Sequence, residues 1–231
     1  MIPTIEASPE ETYDIELEQS LLQANAKLAK ENRSRLDHHG VTAIDFMGAI
    51  GSGKTTLIAR LVEKFKGRFD VAVFNGDATT ADDFNQMASQ GVPMVQLATV
   101  NGCHLDANLV AKAMLKVNLD KLDLIFIENI GNLICPAEFP LGSSSRIVVV
   151  SVTEGPYMVK KHPHMFLGAD VVVINKVDLA EIMGVSVEQL TSDVHTLKPD
   201  IKVIPISCKT GFGLDRVAEA LQSTQGLHVD A

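Results

Sequence analysis

Gly48-Ala49-Ile50-Gly51-Ser52-Gly53-Lys54-Thr55 decides the fold. The stretch matches G-x-x-x-x-G-K-[ST] in full. An apolar run, Val41–Met47, precedes it and a helical pattern, Lys54–Phe65, follows, which is the context the motif requires. Glycines let the backbone curl until successive N–H groups point inward at phosphate oxygens. The N-terminus of the following helix adds a favourable dipole. In this setting Lys54 is expected to reach the β- and γ-phosphates and Thr55 to place its hydroxyl on Mg2+. Gly48, Gly51, Ser52, Gly53 and Thr56 complete the expected phosphate contact.

Outward from this loop, short apolar runs alternate with helical patterns. Predicted strands are Val41–Met47, Val71–Phe74, Met94–Leu97, Leu122–Ile127, Arg146–Val152, Val171–Ile174 and Lys202–Ile206. Several are continuously apolar, as expected of strands covered on both faces. Predicted helices are Lys54–Phe65, Thr80–Ser89, Asp106–Lys116, Tyr157–Met165, Val187–Leu197 (with Ser186 and Gln189 as a capping pair) and Leu214–Gln222. The alternation predicts an α/β fold, a P-loop NTPase with a mostly parallel central sheet and helices on both faces, spanning residues 41–231.

Residues 1–40 read as a helical extension. Ser8-Pro9-Glu10-Glu11 combines a capping serine, proline at the first helical position and glutamate three residues after the cap. Gly40 is the expected stop, with Lys30, Arg33 and Arg35 toward the C-terminal end. Its apolar stripe, Ile15, Leu17, Leu21, Leu22 and Leu28, is narrow, so the helix is expected to lie across the domain edge or against a partner.

Twenty Lys+Arg against 29 Asp+Glu leave a net charge of −9. An acidic chain repels phosphate backbones, which disfavours non-specific nucleic-acid binding. No apolar run approaches the roughly 18 residues of a membrane-spanning helix. The acidic N-terminus lacks the basic and apolar segments of a signal peptide, so the expected location is cytoplasmic. The three cysteines, Cys103, Cys135 and Cys208, suit free thiols or metal ligands better than a disulfide framework.

The base to be recognised is also legible. Val171–Ile174 runs into Asn175-Lys176-Val177-Asp178, the N-K-x-D pattern of guanine-specific P-loop proteins. A carboxylate at Asp178 can accept from both N1–H and the N2 amino group of guanine, whereas adenine has no donor at N1. Lys176 is expected along the base plane. Ser207-Cys208-Lys209 follows the next strand and resembles the guanine-supporting S-A-K loop, with a backbone N–H at Cys208 expected to serve guanine O6. At the phosphate end, Glu128 closes a strand in Glu128-Asn129-Ile130-Gly131, in place of the usual D-x-x-G. Being one methylene longer than aspartate, it is expected to hold Mg2+ through a water. Asp77 either orients water or Mg2+, or caps the helix that follows. No glutamine stands where small GTPases place their water-orienting residue, which implies slow intrinsic hydrolysis.

Cys103-His104 are adjacent, and Cys135 precedes Pro136. Thiolate and imidazole together suit zinc or nickel. From spacing alone, buried apolar cysteines and a hydrogen-bonded histidine are the commoner outcome. Placement adds to the metal reading, because Cys135 lies four residues after Gly131 and is tethered to the segment that would sense the γ-phosphate. His162 and His164 flank Pro163 and read as ordinary surface or packing histidines before auxiliary ligands.

From Val41 onward the chain resembles the HypB-type nickel incorporation GTPases of [NiFe]-hydrogenase maturation, of the SIMIBI class of P-loop GTPases. The likeness rests on Asp45-Phe46-Met47 with the loop that follows, on Gly102-Cys103-His104-Leu105-Asp106-Ala107, and on Glu128 through Pro136. Ser151-Val152-Thr153-Glu154-Gly155 and Asn175–Asp178 agree. The resemblance implies that Cys103, His104 and Cys135 bind Ni2+ or Zn2+ at a homodimer interface favoured by GTP. It further implies a HypA-type accessory protein as partner and the hydrogenase large-subunit precursor as client. Residues 1–40 contain no cysteine, and His38-His39 are the only histidine pair there, so a tight N-terminal nickel site and a nickel store are not expected. A urease-type nickel-insertion GTPase would carry Cys-Pro-His at the metal position, which this chain lacks. A small-molecule P-loop kinase would not need Asn175–Asp178, and a zinc-stabilised scaffold would not need Lys54 and Thr55.

Overall fold

The computed structural model describes residues 9–76, 86–99 and 104–225, with side chains placed within them from residue 19 to residue 223. Asp77 and Cys103 lie outside the described residues, as does most of the predicted helix Thr80–Ser89, of which 86–89 is helical.

Seven strands form one sheet: β1 (Thr42–Met47), β2 (Val71–Asn75), β3 (Met94–Gln96), β4 (Leu124–Glu128), β5 (Ser145–Ser151), β6 (Val171–Asn175) and β7 (Lys202–Pro205). Their order is β3-β2-β4-β1-β5-β6-β7, and every pairing is parallel. The helices are α1 (Pro9–His38), α2 (Lys54–Phe65), α3 (Ala107–Met114), α4 (Cys135–Glu138), α5 (Met158–Lys161), α6 (Pro163–Leu167), α7 (Ala180–Met183), α8 (Val187–Leu197) and α9 (Leu214–Gln225). All predicted strands are present, and α2 and α8 begin and end where the capping and periodicity signals place them.

The two-residue period of β1 distributes its side chains between two faces. Ile44 and Phe46 pack with Phe126 under Leu57, Leu61 and Phe65 of α2 and Val217 and Leu221 of α9. The Phe46 and Phe126 rings meet edge to face at 5.4 Å. Ala43 faces the opposite side, where Phe74, Ile125 and Ile127 meet Val110 and Met114 of α3. Met47 joins Val148, Val150 and Ile174 beneath Phe166, Leu190 and Val194. Because all strands run one way, the loops after β1, β4, β5, β6 and β7 gather at a single edge. The chain order reverses on either side of β1, the place where open α/β sheets bind ligands.

Two local differences from the sequence reading have clear causes. The helix expected over Tyr157–Met165 is two short helices, α5 and α6, separated at His162 (φ −130°, ψ 52°). Pro163 supplies no N–H and bars its predecessor from the helical region, so one helix ends and a second starts with proline at its first position. The fully buried face of α1 differs from the expected stripe, of which Leu21 is exposed and Leu22 and Leu28 are half-buried. It is Asn25, Ala29, Asn32 and Leu36, all buried and spaced by successive turns. Asn25 Nδ2 donates to Pro140 O at 2.9 Å while its Oδ1 accepts from the Ala107 N–H at 2.8 Å. Asn32 Nδ2 donates to Ala107 O at 2.7 Å and Leu141 O at 3.0 Å. The extension thus grips the start of α3 and the segment just beyond α4.

Candidate functional site

Three glycines give the loop after β1 its curvature. Gly51 (φ 76°) and Gly53 (φ 97°) lie in the left-handed region, and a Cβ on Gly48 would sit 2.1 Å from Val149 O. Lys54 is buried, and its amine lies within the loop, donating to Gly48 O at 3.2 Å and Ala49 O at 3.1 Å. Ser52 Oγ is buried without a protein partner, which suits a donor facing a phosphate oxygen. Thr55 Oγ1 donates to Glu128 Oε1 at 2.5 Å. A hydroxyl and a carboxylate converging beside a phosphate loop are oxygen donors of the kind a hard divalent cation takes, so these residues fit Mg2+.

Asn175 organises the base side. Its Nδ2 donates to Ser52 O at 2.9 Å, and its Oδ1 accepts from the N–H groups of Lys176 (2.7 Å) and Cys208 (3.2 Å). One side chain therefore joins the phosphate loop to both base loops, and it does so because Gly53 leaves room: a Cβ there would lie 2.3 Å from Asn175 Nδ2. The Cys208 N–H, expected to face guanine O6, is donated to Asn175. Lys176 adopts φ 61° and extends its amine across the phosphate loop to Gly51 O at 2.7 Å. Asp178 is exposed at the mouth of a cavity of about 270 Å³ lined by Gly53, Thr56, Lys176, Leu179, Cys208 and Lys209. Arg60 of α2 donates to Cys208 O at 3.3 Å and fixes that loop, a support the motif pattern does not reveal.

On the other side of the phosphate loop, residues 128–139 form a continuous strip. Asn132 bridges to Gly48 in antiparallel fashion, and Gly131 packs so closely on Ile50 that a Cβ would lie 2.4 Å from Ile50 Cγ1. Asn132 Nδ2 donates to Cys135 Sγ at 3.5 Å. His104 stacks on Phe139 just beyond α4, with ring centroids 3.7 Å apart. Burial pushes the His104 pKa down, against the opposing charges of Asp106 and Glu138, which favours the neutral imidazole a metal requires. The structure thus sets His104 against the residue that follows the Cys135 helix, with Cys103 outside the described residues. Among the described residues, no three His, Cys, Asp or Glu side chains converge on a common metal position. His162 lies between α5 and α6 and His164 within α6, and among the described residues neither joins such a group.

Two buried acids lie within the motifs quoted above, which assign neither of them a role. Glu154 accepts from the Ser151 N–H at 2.8 Å; burial raises its pKa to about 6 against that hydrogen bond and the charges of Lys176 and Lys54. Asp45, in the middle of β1, is wholly buried; desolvation raises its pKa from 3.8 to about 6, opposed by Arg146 and the Asn129 amide. A charged residue inside an apolar strand was the available signal. A raised folded-state pKa means the folded protein holds this proton more tightly than the unfolded chain. Asp45 therefore costs nothing below about pH 4, and its penalty grows as pH rises through about 6, to a ceiling of about 3 kcal/mol. Asp45→Asn is expected to stabilise the protein by about 1–3 kcal/mol at neutral pH and by nothing near pH 4. Urea denaturation of both proteins across this range checks the sign; a gain that grows toward acid contradicts it.

Comparison with known proteins gives a consistent result. Residues 42–205 match the family model for the CobW/HypB/UreG nucleotide-binding domain. The chain is 45% identical over 210 residues to a probable hydrogenase maturation factor HypB of Methanocaldococcus jannaschii, covering 91% of this chain and 95% of that one. Among solved structures, HypB from Archaeoglobus fulgidus superposes with a TM-score of 0.84 at 40% identity, over 88% of this chain and 99% of that one. HypB from Helicobacter pylori in complex with nickel superposes with a TM-score of 0.82 at 33% identity, over 90% and 98%.

Proposed function

The chain belongs to the HypB hydrogenase maturation factors of the CobW/HypB/UreG family, and from that premise we propose that it is a GTP-hydrolysing metallochaperone that delivers nickel to [NiFe]-hydrogenase, its metal affinity set by the bound nucleotide. The observation that carries this reading is Asn132. Its backbone pairs with Gly48 of the phosphate loop, and its side chain holds the Cys135 sulfur. A change of phosphate occupancy that displaces residues 128–132 cannot leave Cys135 where it was.

In this reading the loop amides and Ser52 Oγ cradle the β-phosphate, and Lys54 leaves its carbonyl partners to neutralise charge on the γ-phosphate. Thr55 and Glu128 would hold Mg2+, which would supply neutralisation of phosphate charge. Asp77 orients the attacking water. Asp178, Lys176 and the Ser207–Lys209 loop select guanine. Cys103, His104 and Cys135 take Ni2+ or Zn2+ as cargo from a HypA-type partner and pass it to the large-subunit precursor. The GTP-bound form is a homodimer, and the work is done in the cytoplasm; no helix among the described residues is long and apolar enough to cross a membrane.

The test is a titration of nickel, and separately of zinc, into the GDP form and the form with a non-hydrolysable GTP analogue, with light scattering to follow dimerisation. Affinities differing by roughly 5–150-fold are expected, and linkage requires metal to change nucleotide affinity by the same factor. Cys103→Ala or Cys135→Ala removes both metal and coupling while leaving guanine nucleotide binding near its original value. Affinity falls in acid, because thiolates must shed protons to bind. Identical isotherms in both nucleotide states reject the coupling.

A further inference from the structure

Asn132 accounts for how the phosphate loop reaches Cys135, and it leaves open how the same signal reaches His104, which lies on a different segment. A single buried side chain makes that connection. Asn129 is fully buried at the end of β4, with its own N–H fixed to Phe46 O at 3.0 Å. Its Oδ1 accepts from two backbone N–H groups: that of Ile130, in the strip beside the phosphate loop, at 3.0 Å, and that of Leu105, the residue after His104, at 3.3 Å. Its Nδ2 donates to Asp45 Oδ1 at 3.1 Å. Asp45 is the register partner of Arg146 on β5, and the Arg146 guanidinium donates to Ala137 O in α4 at 3.3 Å. Asn129 therefore touches the nucleotide-side strip and the histidine segment directly, and the cysteine helix through Asp45 and Arg146.

We propose that Asn129 is the positioning residue through which nucleotide state reaches His104. It shares one acceptor oxygen between Ile130 and Leu105, so that displacement of the strip shifts the histidine segment against α4. This rests on the coupling proposed above. Hydrogen bonds weaken steeply with distance and angle, so two amides on one oxygen cannot move independently by more than a fraction of an ångström. Leu105 transmits the shift as a unit with its neighbours. Its side chain is fully buried against Gly76, where a Cβ would lie 2.8 Å from Leu105 Cδ1, and Asp106 caps α3 through the Leu109 N–H at 2.8 Å. The Asn129 side-chain hydrogen bonds go to Leu105, Asp45 and Ile130, none of them a phosphate-loop residue or a proposed metal ligand, so its removal is expected to uncouple the sites without removing either.

The experiment measures the ratio of nickel affinities between the GDP form and the form with a non-hydrolysable GTP analogue, in the full chain. Asn129→Ala is expected to bind guanine nucleotide and nickel and to collapse the ratio to about one, from the roughly 5–150-fold typical of coupled sites. The double variant Asp45→Asn/Asn129→Asp exchanges donor and acceptor in the buried pair and keeps an oxygen for Ile130 and Leu105; it is expected to restore the parent ratio. A residue needed only for folding would lose nucleotide and nickel binding in Asn129→Ala together with the ratio, whereas a positioning residue loses the ratio alone. Should Asn129→Ala not fold, hydrogen exchange at the Leu105 amide of the unaltered protein decides: protection must differ between the two nucleotide forms, and equal protection overturns the proposal. Parent-like coupling in a folded Asn129→Ala overturns it as well. A ratio of one in the unaltered protein removes the underlying coupling instead, so the two failures are told apart before any variant is made.

Discussion

Lys54→Ala is expected to lower GTP hydrolysis by at least about 10²–10³-fold, the scale on which a preorganised group facing developing charge contributes, while the protein remains folded. The amine sits within the phosphate loop, where it donates to Gly48 O and Ala49 O. Those oxygens lie on a loop whose shape comes from its glycines and from Asn175, neither of which the substitution touches. The desolvation of a buried cation offsets what its hydrogen bonds to carbonyls contribute, so the substitution is expected to cost little stability. The same cation opposite a triphosphate gains strongly, and most where charge builds in the transition state. Single-turnover phosphate release with Mg2+ measures the first effect and thermal unfolding the second. Retained turnover in a carefully purified variant would reject the role; lost turnover with a collapsed melting transition would show a structural residue in its place.

Much of this arrangement was legible because its parts are local. The phosphate loop, the strand before it and the helix after it are contiguous, and all seven strands declare themselves as apolar runs between turns. Asn175–Asp178 and Ser207–Lys209 are readable because each follows its own strand, and parallel strands deliver both loops to one edge. What stayed hidden depends on pairs distant in the chain. Asn25 and Asn32 look like surface residues of a polar helix until Ala107 and Leu141 are placed beside them. Asp45 marks itself as odd, yet only the register of β1 with β4 and β5 shows that Asn129 and Arg146 are its neighbours. Arg60 is one more helical arginine until the Cys208 carbonyl arrives from nearly the far end of the chain. The break at Pro163, by contrast, is local: proline lacks the N–H and bars its predecessor from the helical region.

Asp178→Asn is expected to reverse base preference. Asp178 is exposed at the cavity beside the phosphate loop, and its neighbour Lys176 is anchored at Gly51, so the loop is held while the carboxylate stays free to face a base. A carboxylate there accepts from both N1–H and the N2 amino group of guanine, and hydrogen bonds to a charged group contribute about 1.5–3 kcal/mol each. An amide keeps one acceptor and sets its own NH2 against the second guanine donor. GTP affinity should fall by roughly 10²-fold on that account. Xanthine carries an oxygen where guanine carries the amino group, so the amide donates to it while still accepting from N1–H, and xanthosine triphosphate should become the better ligand. The main-chain partners of Asn175 do not involve residue 178, so phosphate contacts and stability should be unchanged. Competition binding of GTP, xanthosine triphosphate and ATP to both proteins gives the answer. If ATP competes as well as GTP for the unaltered protein, guanine is not selected at all; if the variant still prefers GTP, Asp178 does not read the base, and selection must come from the Ser207–Lys209 loop.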